Sequence, residues 1–406
     1  MVRTNLISRG ISWEGTFSLK NASECVIKCL RHFVNSGNVD DWALPAEPEQ
    51  WDPLIHLADA LSVMPIVSLF LAKLPLGTIP ADKLEELRER SQRHAYRSLA
   101  LTGELLRVSG LLDAAGIHFV PIKGPTLAAA VYGDPSLRAF QDLDILVKPE
   151  DLLRARDILV QQGYTMSSAV HWNSGSANFR SVNCEFSMWR DGISIDLHWR
   201  LLPPHIPFRL DTDDLWSGLA TQKMAGRQIP TLSAEHQLLY LAAHGAKHGW
   251  SKLRWVCDFA RCVQVTPIDW PRAFQLCGKA GNILVLTHAL ALVQQLLGVH
   301  LPLEAEQRVD AGARRIAAEV SASLLHGNPT EPNGASKSRL LMQLTDGPFG
   351  ALRCWWSVVF TPTEVEWSLV QLPPAAYWLY YPLRIGRLAV KHSIGRLWGH
   401  RPRPQP

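Results

Sequence analysis

Residues 117–147 read IHFVPIKGPTLAAAVYGDPSLRAFQDLDILV, and residues 183–199 read NCEFSMWRDGISIDLHW. The first stretch opens on a short, β-branched apolar run, Ile117–Ile122, which predicts a strand. Lys123-Gly124-Pro125 follows, and Thr126–Tyr132 predicts a helix whose first position suits Pro125, since the N–H that proline lacks would be unpaired there. Gly133-Asp134-Pro135-Ser136 is turn chemistry, and Gln141–Val147 alternates apolar and polar residues as a half-buried strand does. Pro149–Gln162 is an amphipathic helix stopped by Gly163. In the second stretch two alternating runs, Asn183–Trp189 and Gly192–Trp199, flank the hairpin turn Arg190-Asp191-Gly192. The order strand, helix, strand, helix, hairpin predicts a compact α+β unit with a mixed sheet.

Helical periodicity surrounds that unit. Residues 20–113 read as helical, with Leu54, Ile55, Leu57, Ala58 and Leu61 at helical spacing, and with one long pattern from about Pro80 to a stop at Gly116. After Pro203-Pro204 the chain reads as helical again: from Ser233 to about His248, then over 250–264, 270–280, 282–298, 303–325 and 336–346. The segment His326–Ser336 reads as a loop. The expected division is a helical region over 1–113, an α+β core over 114–202, a helical region over 203–330, and a helical region with a basic aromatic tail over 331–406.

The chemistry follows from strand parity. Residues i and i+2 of a strand share a face, so Asp142 and Asp144 project together while Leu143 and Ile145 turn to the core. In Gly192–Trp199, Ser194, Asp196 and His198 share the polar face. If the apolar faces of both strands meet one core, Asp196 emerges beside Asp142 and Asp144. Carboxylates so close repel unless a cation sits among them, and oxygen donors alone suit a hard ion, Mg²⁺, here read as two ions. Lys123 and Gly124 at a strand-to-helix junction, the Thr126 hydroxyl and the Arg138 guanidinium read as phosphate-binding groups. His198 reads as a residue that orients a carboxylate or meets substrate.

The stretch from Val120 to Tyr164 resembles the core of the uncharacterised bacterial nucleotidyltransferase family within the DNA polymerase β-like superfamily. The matching elements are Lys123-Gly124, Arg138, Asp142-Leu143-Asp144-Ile145-Leu146-Val147, Pro149 and Gly163-Tyr164. The later run Ile195-Asp196-Leu197-His198-Trp199-Arg200-Leu201 and the block His244–Asp258 (HGAKHGWSKLRWVCD) extend the likeness over about 40–390. It implies a polymerase β-like core between helical flanks. It also implies Mg²⁺-dependent transfer of a nucleoside monophosphate from an NTP to a hydroxyl of a small-molecule, sugar or peptide acceptor. Gly124-Pro125 departs from the superfamily's usual Gly-Ser or Gly-Gly, which removes one phosphate-binding N–H. A nucleotide-sugar donor on the same fold, and a silent nucleotide-binding partner protein, stay open as alternatives.

The rest of the chain narrows the field. A net charge of +4 over 406 residues gives no basic field for nucleic acid. The seven cysteines are scattered without a C-x-x-C, which fits reduced cytoplasmic thiols; Cys25 and Cys29 read as core. The N-terminus lacks an apolar leader, and no run reaches the ~18–20 apolar residues of a bilayer span, so a cytoplasmic protein is expected. His244 and His248 have metal-ligand spacing, but Gly245 stands where a zinc peptidase needs Glu. The face of Lys247, His248, Arg254 and Asp258 is instead expected to line the cleft on the substrate side. The tail carries Arg384, Arg387, Lys391, Arg396, Arg401 and Arg403 among Trp378, Tyr380, Tyr381, Leu388 and Trp398. Such a helix either touches an anionic membrane peripherally or packs on the body of the protein, and packing is the expectation.

Overall fold

The computed structural model describes residues 19–35, 44–45, 47, 50–166, 175–204, 206, 208–210, 213–326, 334–345 and 347–398. Four helices come first: α1 (Leu19–Asn35), α2 (Trp51–Ala60), α3 (Met64–Leu71) and α4 (Ala81–Ala114). The α+β unit holds β1 (Phe119–Pro121), α5 (Pro125–Tyr132), β2 (Asp142–Val147), α6 (Leu152–Gln161), α7 (Ala177–Val182), β3 (Glu185–Arg190) and β4 (Ile193–His198). Next come α8 (Asp213–Ser217), β5 (Ala220–Met224) and β6 (Arg227–Thr231). The helical body holds α9 (Ala234–Lys247), α10 (Leu253–Val265), α11 (Trp270–Lys279), α12 (Ile283–Leu297), α13 (Leu303–Glu306) and α14 (Ala311–His326). It ends with α15 (Gly334–Gln343), α16 (Gly347–Phe360), α17 (Glu364–Leu369) and α18 (Tyr380–Trp398).

The main sheet has strand order β1-β2-β4-β3. β2 runs parallel to β4, while β1–β2 and β3–β4 are antiparallel. One face packs Leu143, Ile145, Val147, Phe186, Met188, Ile195 and Leu197 against Leu105, Val108 and Leu112 of α4 and Leu152 and Leu159 of α6. From the other face Val120 and Leu146 join the large core of the helical body. The sheet therefore separates two cores, and whatever polar residues lie on its second face are roofed by helices. Arg97 of α4 donates to the carbonyls of Gln141 (2.7 Å) and Gly192 (2.9 Å), fixing the start of β2 and the β3–β4 turn to one helix.

The α4 pattern is one unbroken helix of 34 residues, ended by left-handed Gly116. The hairpin turn at Asp191-Gly192 is as expected, both residues having positive φ. Three expectations need correction. Residues 203–232 are not simply helical, because β5 and β6 pair as a hairpin around Ala225-Gly226, again both at positive φ. The helix expected over 303–325 is two helices, because Asp310 Oδ1 accepts the Ala313 N–H (2.7 Å) and starts α14 afresh. The expected loop over 326–336 begins and ends in helix, and its middle, 327–333, lies outside the described residues, as does 1–18.

The tail packs. Tyr380 is fully buried, and its hydroxyl links Val370 O to the Leu372 N–H. Arg384 and Arg387 both pair with the buried Glu366 carboxylate, so these two cations are not free for a membrane surface. The side chains from Lys391 onward lie outside the described residues. Among the described residues no helix is long and apolar enough to cross a membrane, and all seven cysteines are buried and unbridged.

The block His244–Trp250 is a helix stop. The Trp250 N–H returns to Gly245 O (2.8 Å) and the Gly249 N–H to Ala246 O (3.0 Å), which closes α9. The fully buried Trp250 ring then lies over Gly245, where a Cβ would come within 2.5 Å of it. Gly245→Ala is expected to cost about 2–3 kcal/mol through this overpacking, read as a lower urea midpoint at unchanged m-value.

Candidate active site

Three strands build the site in rows. Asp142 lies opposite Ser194 and Asp144 opposite Asp196 in the β2–β4 register, and Asp196 and His198 lie opposite Ser187 and Glu185 in the β3–β4 register. Paired residues of neighbouring strands face the same side. The roofed face of the sheet therefore presents Asp142, Asp144, Asp196 and Glu185 together with Ser187 and His198. β1 and α5 add Lys123 through a turn at Gly124, whose φ of 70° and ψ of −136° are open in practice to glycine alone.

Asp144 is at the centre. It is 3% exposed. Its Oδ1 is 2.7 Å from Lys123 Nζ and 3.3 Å from His198 Nε2. Its Oδ2 is buried with no hydrogen-bond partner. Burial pushes this carboxyl up, but Lys123 and His198 outweigh it and hold Asp144 well below the usual carboxylate range. Asp142 is raised by burial and then by the Asp144 charge. Asp196 is pushed up to about 7 by burial, with the Asp144 and Glu185 charges adding to it and a hydrogen bond from Ser187 opposing.

Among the described residues one trio of metal-ligand types has its donor atoms within 4.8 Å of one another, Cys184, Glu185 and His198; the three aspartates are less tightly drawn together. The hydrogen bonding of the trio argues against a soft metal there. His198 Nδ1 faces Glu185 Oε2 (3.1 Å) and Arg200 O (3.3 Å), while Nε2 faces Asp144 Oδ1. These three oxygens are acceptors, so the protonated ring donates to them from both nitrogens and has no lone pair left for a metal; the Cys184 thiol also lies within hydrogen-bond reach of the ring. The pKa agrees: burial pulls His198 down, but Glu185 and Asp144 raise it well above its ordinary value. Glu185 is lowered in turn, since His198 and Lys247 outweigh its burial. Its side chain keeps 34% of its surface open, so water screens part of that effect.

A family model of uncharacterised nucleotidyltransferases matches residues 47–298, well over half of the chain and all of this site. The chain belongs to that family. No curated protein and no solved structure matches it.

Within this nucleotidyltransferase several sequence-based assignments change. Arg138 is not a free phosphate donor: its Nε and Nη2 each lie 2.8 Å from the carboxylate oxygens of Asp258, both residues are buried, and the Tyr132 hydroxyl donates to the same carboxylate (2.8 Å). Asp258 therefore holds the helical body to the α+β unit and does not line the cleft. The Thr126 hydroxyl is buried and donates to Lys123 O (3.1 Å), closing the turn into α5. Lys123 pairs with Asp144. Arg254 spends Nη1 on Ala139 O, while its Nε is buried without a partner.

Lys247, at the end of α9, has no hydrogen bond or ion pair among the described residues. Burial lowers its pKa, but Glu185 first, then Cys184, Asp144 and Asp196, raise it. The His244 and His248 ring centroids lie 4.6 Å apart with the planes tilted by 51°, and Trp255 lies 5.5 and 4.8 Å from them. Burial and then nearby lysines lower both, His248 to about 3, so they form a neutral aromatic surface. Sequence reasoning missed Glu185 and Ser187, although the alternation of Glu185-Phe186-Ser187-Met188 puts both on the polar face.

Two outcomes follow for stability. Arg138→Ala leaves Asp258 buried and unpaired and is expected to cost about 3–5 kcal/mol, seen in urea unfolding. Folded Asp196 keeps its proton to about pH 7, whereas an unfolded aspartate titrates near ~4. The folded state thus binds more protons in that window, and stability falls as pH rises through it. Asp196→Asn removes the fall, and after allowance for partial solvation is expected to stabilise the metal-free protein by about 1–2 kcal/mol at pH 8 relative to pH 5. Urea titrations in EDTA at the two pH values check this.

Proposed function

We propose that this enzyme moves a nucleoside monophosphate from an NTP to a hydroxyl acceptor, on a polymerase β-like core over 114–202 with Mg²⁺ held by Asp142, Asp144 and Asp196. The observation that carries the reading is the Asp144 carboxylate, ionised and buried, with Oδ2 left without a partner beside Asp196 in register. Such an atom costs free energy unless a ligand meets it. Three carboxylates are the donor set a hard cation prefers, and the upward shifts of Asp142 and Asp196 mark the repulsion that a cation relieves. Bound there, Mg²⁺ would supply charge neutralisation at the phosphoryl oxygens and activation of the acceptor oxygen.

The chain's own residues do the rest. Asp196, besides holding the metal, would take the proton of the acceptor hydroxyl. Lys123 and His198 hold Asp144 ionised. Lys247, a cation without a partner facing the acidic cluster, takes the phosphate-binding role that Arg138 and Thr126 do not fill. Gly124 lets the start of α5 approach the phosphates. The neutral surface of His248 and Trp255 suits the flat face of a base or sugar, between the α+β core and the helical region over 203–330. The donor is an NTP, and the acceptor is a small molecule, a sugar or a peptide.

Purified protein with Mg²⁺, each NTP or sugar nucleotide in turn, and a small-molecule and peptide extract, read by product mass, tests the donor and finds the acceptor. A nucleoside monophosphate mass added to an extract component supports the reading. A glycosyl mass added instead removes it. Asp144→Asn is expected to lower kcat by about a thousandfold or more, equivalent to roughly 4 kcal/mol of lost transition-state stabilisation. Full activity in that variant would refute the assignment.

A further inference from the structure

Glu185 is the one carboxylate on the roofed face with no place in the reading above, and its contacts point inward along a chain of hydrogen bonds. Its Oε2 lies 3.1 Å from His198 Nδ1, and the Cys184 thiol donates to the same oxygen at 3.5 Å. His198 Nε2 then lies 3.3 Å from Asp144 Oδ1, which Lys123 Nζ approaches to 2.7 Å from another element. Oδ1 thus has two donors and Oδ2 has none. A carboxylate held in that way cannot rotate to exchange its oxygens without breaking both contacts. Glu185 and His198 are opposite one another in the β3–β4 register, so the backbone ladder fixes their spacing.

We propose that Glu185 is a positioning residue, acting through the His198 ring to lock Asp144 by its Oδ1 so that Oδ2 stays aimed at the divalent cation. This inference rests on the metal reading of the aspartates. Partners one bond removed from a metal ligand set the ligand's orientation and typically change metal affinity by about 10–100-fold when removed. Here the carboxylate, ring and carboxylate chain extends that device by one residue.

Mn²⁺ binding to the full-length protein without nucleotide, by electron paramagnetic resonance or calorimetry, is the test, on wild type, Glu185→Ala, Glu185→Gln and Asp144→Asn. Glu185 is on the edge strand and partly open, so both replacements are expected to fold with an unchanged urea midpoint. Glu185→Ala is expected to weaken Mn²⁺ binding by about tenfold, and Glu185→Gln by less, since the amide oxygen still accepts from Nδ1. In turnover, the Mg²⁺ concentration at half-maximal rate rises while KM for the nucleotide stays put, a split that a loss of packing would not give.

Should Glu185→Ala destabilise the fold, Glu185→Gln supplies the readout. Wild-type affinity in both Glu185 variants, with Asp144→Asn no longer binding Mn²⁺, overturns the positioning role and leaves the metal reading standing. Absence of Mn²⁺ binding in wild type, or wild-type binding by Asp144→Asn, overturns both.

Discussion

The structure is organised around the burial of negative charge. Asp142, Asp144, Asp196 and Glu185 share one face of a small sheet under a roof of helices, where each ionised carboxylate loses solvation and repels the next. The protein offsets this from three directions. Lys123 arrives from the β1–α5 junction, His198 from the strand that bears Asp196, and Lys247 from the last turn of α9. The offset is uneven: Asp144 is held strongly ionised, while Asp142 and Asp196 are left raised. That asymmetry leaves negative charge in the site that the three cations do not balance, which is the condition under which a further cation is favourable.

The helical body is part of the same solution. It roofs the site, and it supplies Lys247 and the clustered rings of His244, His248 and Trp255. It is fastened to the α+β unit by the buried pairing of Arg138 with Asp258, reinforced by Tyr132. The Gly245–Trp250 contact ends α9 where Lys247 and His248 meet the sheet. Residues that a motif reading assigns to substrate are thus divided between two roles. Lys247 turns toward the acidic face of the sheet, and Arg138 and Asp258 hold the two bodies together.

Much of this was legible in local pattern. The alternation of residues 141–147 and 192–199 gave both strands and the face of each aspartate, and Asp191-Gly192 gave the hairpin. The β5–β6 hairpin was missed because its turn is Ala225-Gly226, and alanine gives no turn signal even where the backbone takes positive φ. The break between α13 and α14 was missed because Asp310 acts as a cap inside a stretch that keeps helical spacing. Glu185 was within reach of the same parity argument but had no acidic neighbour in its own strand to draw attention.

The sequence by itself determined which residues share a strand face, because side-chain parity is a property of the backbone and needs no tertiary information. It determined the family for the same reason, its motifs being local. Only the tertiary structure decided how the charges pair. Arg138 meets Asp258 across 120 positions, Lys123 turns to Asp144, and Lys247 is left unpaired among the described residues. Ion pairing depends on distances set when separate elements pack, and short-range spacing carries no record of them.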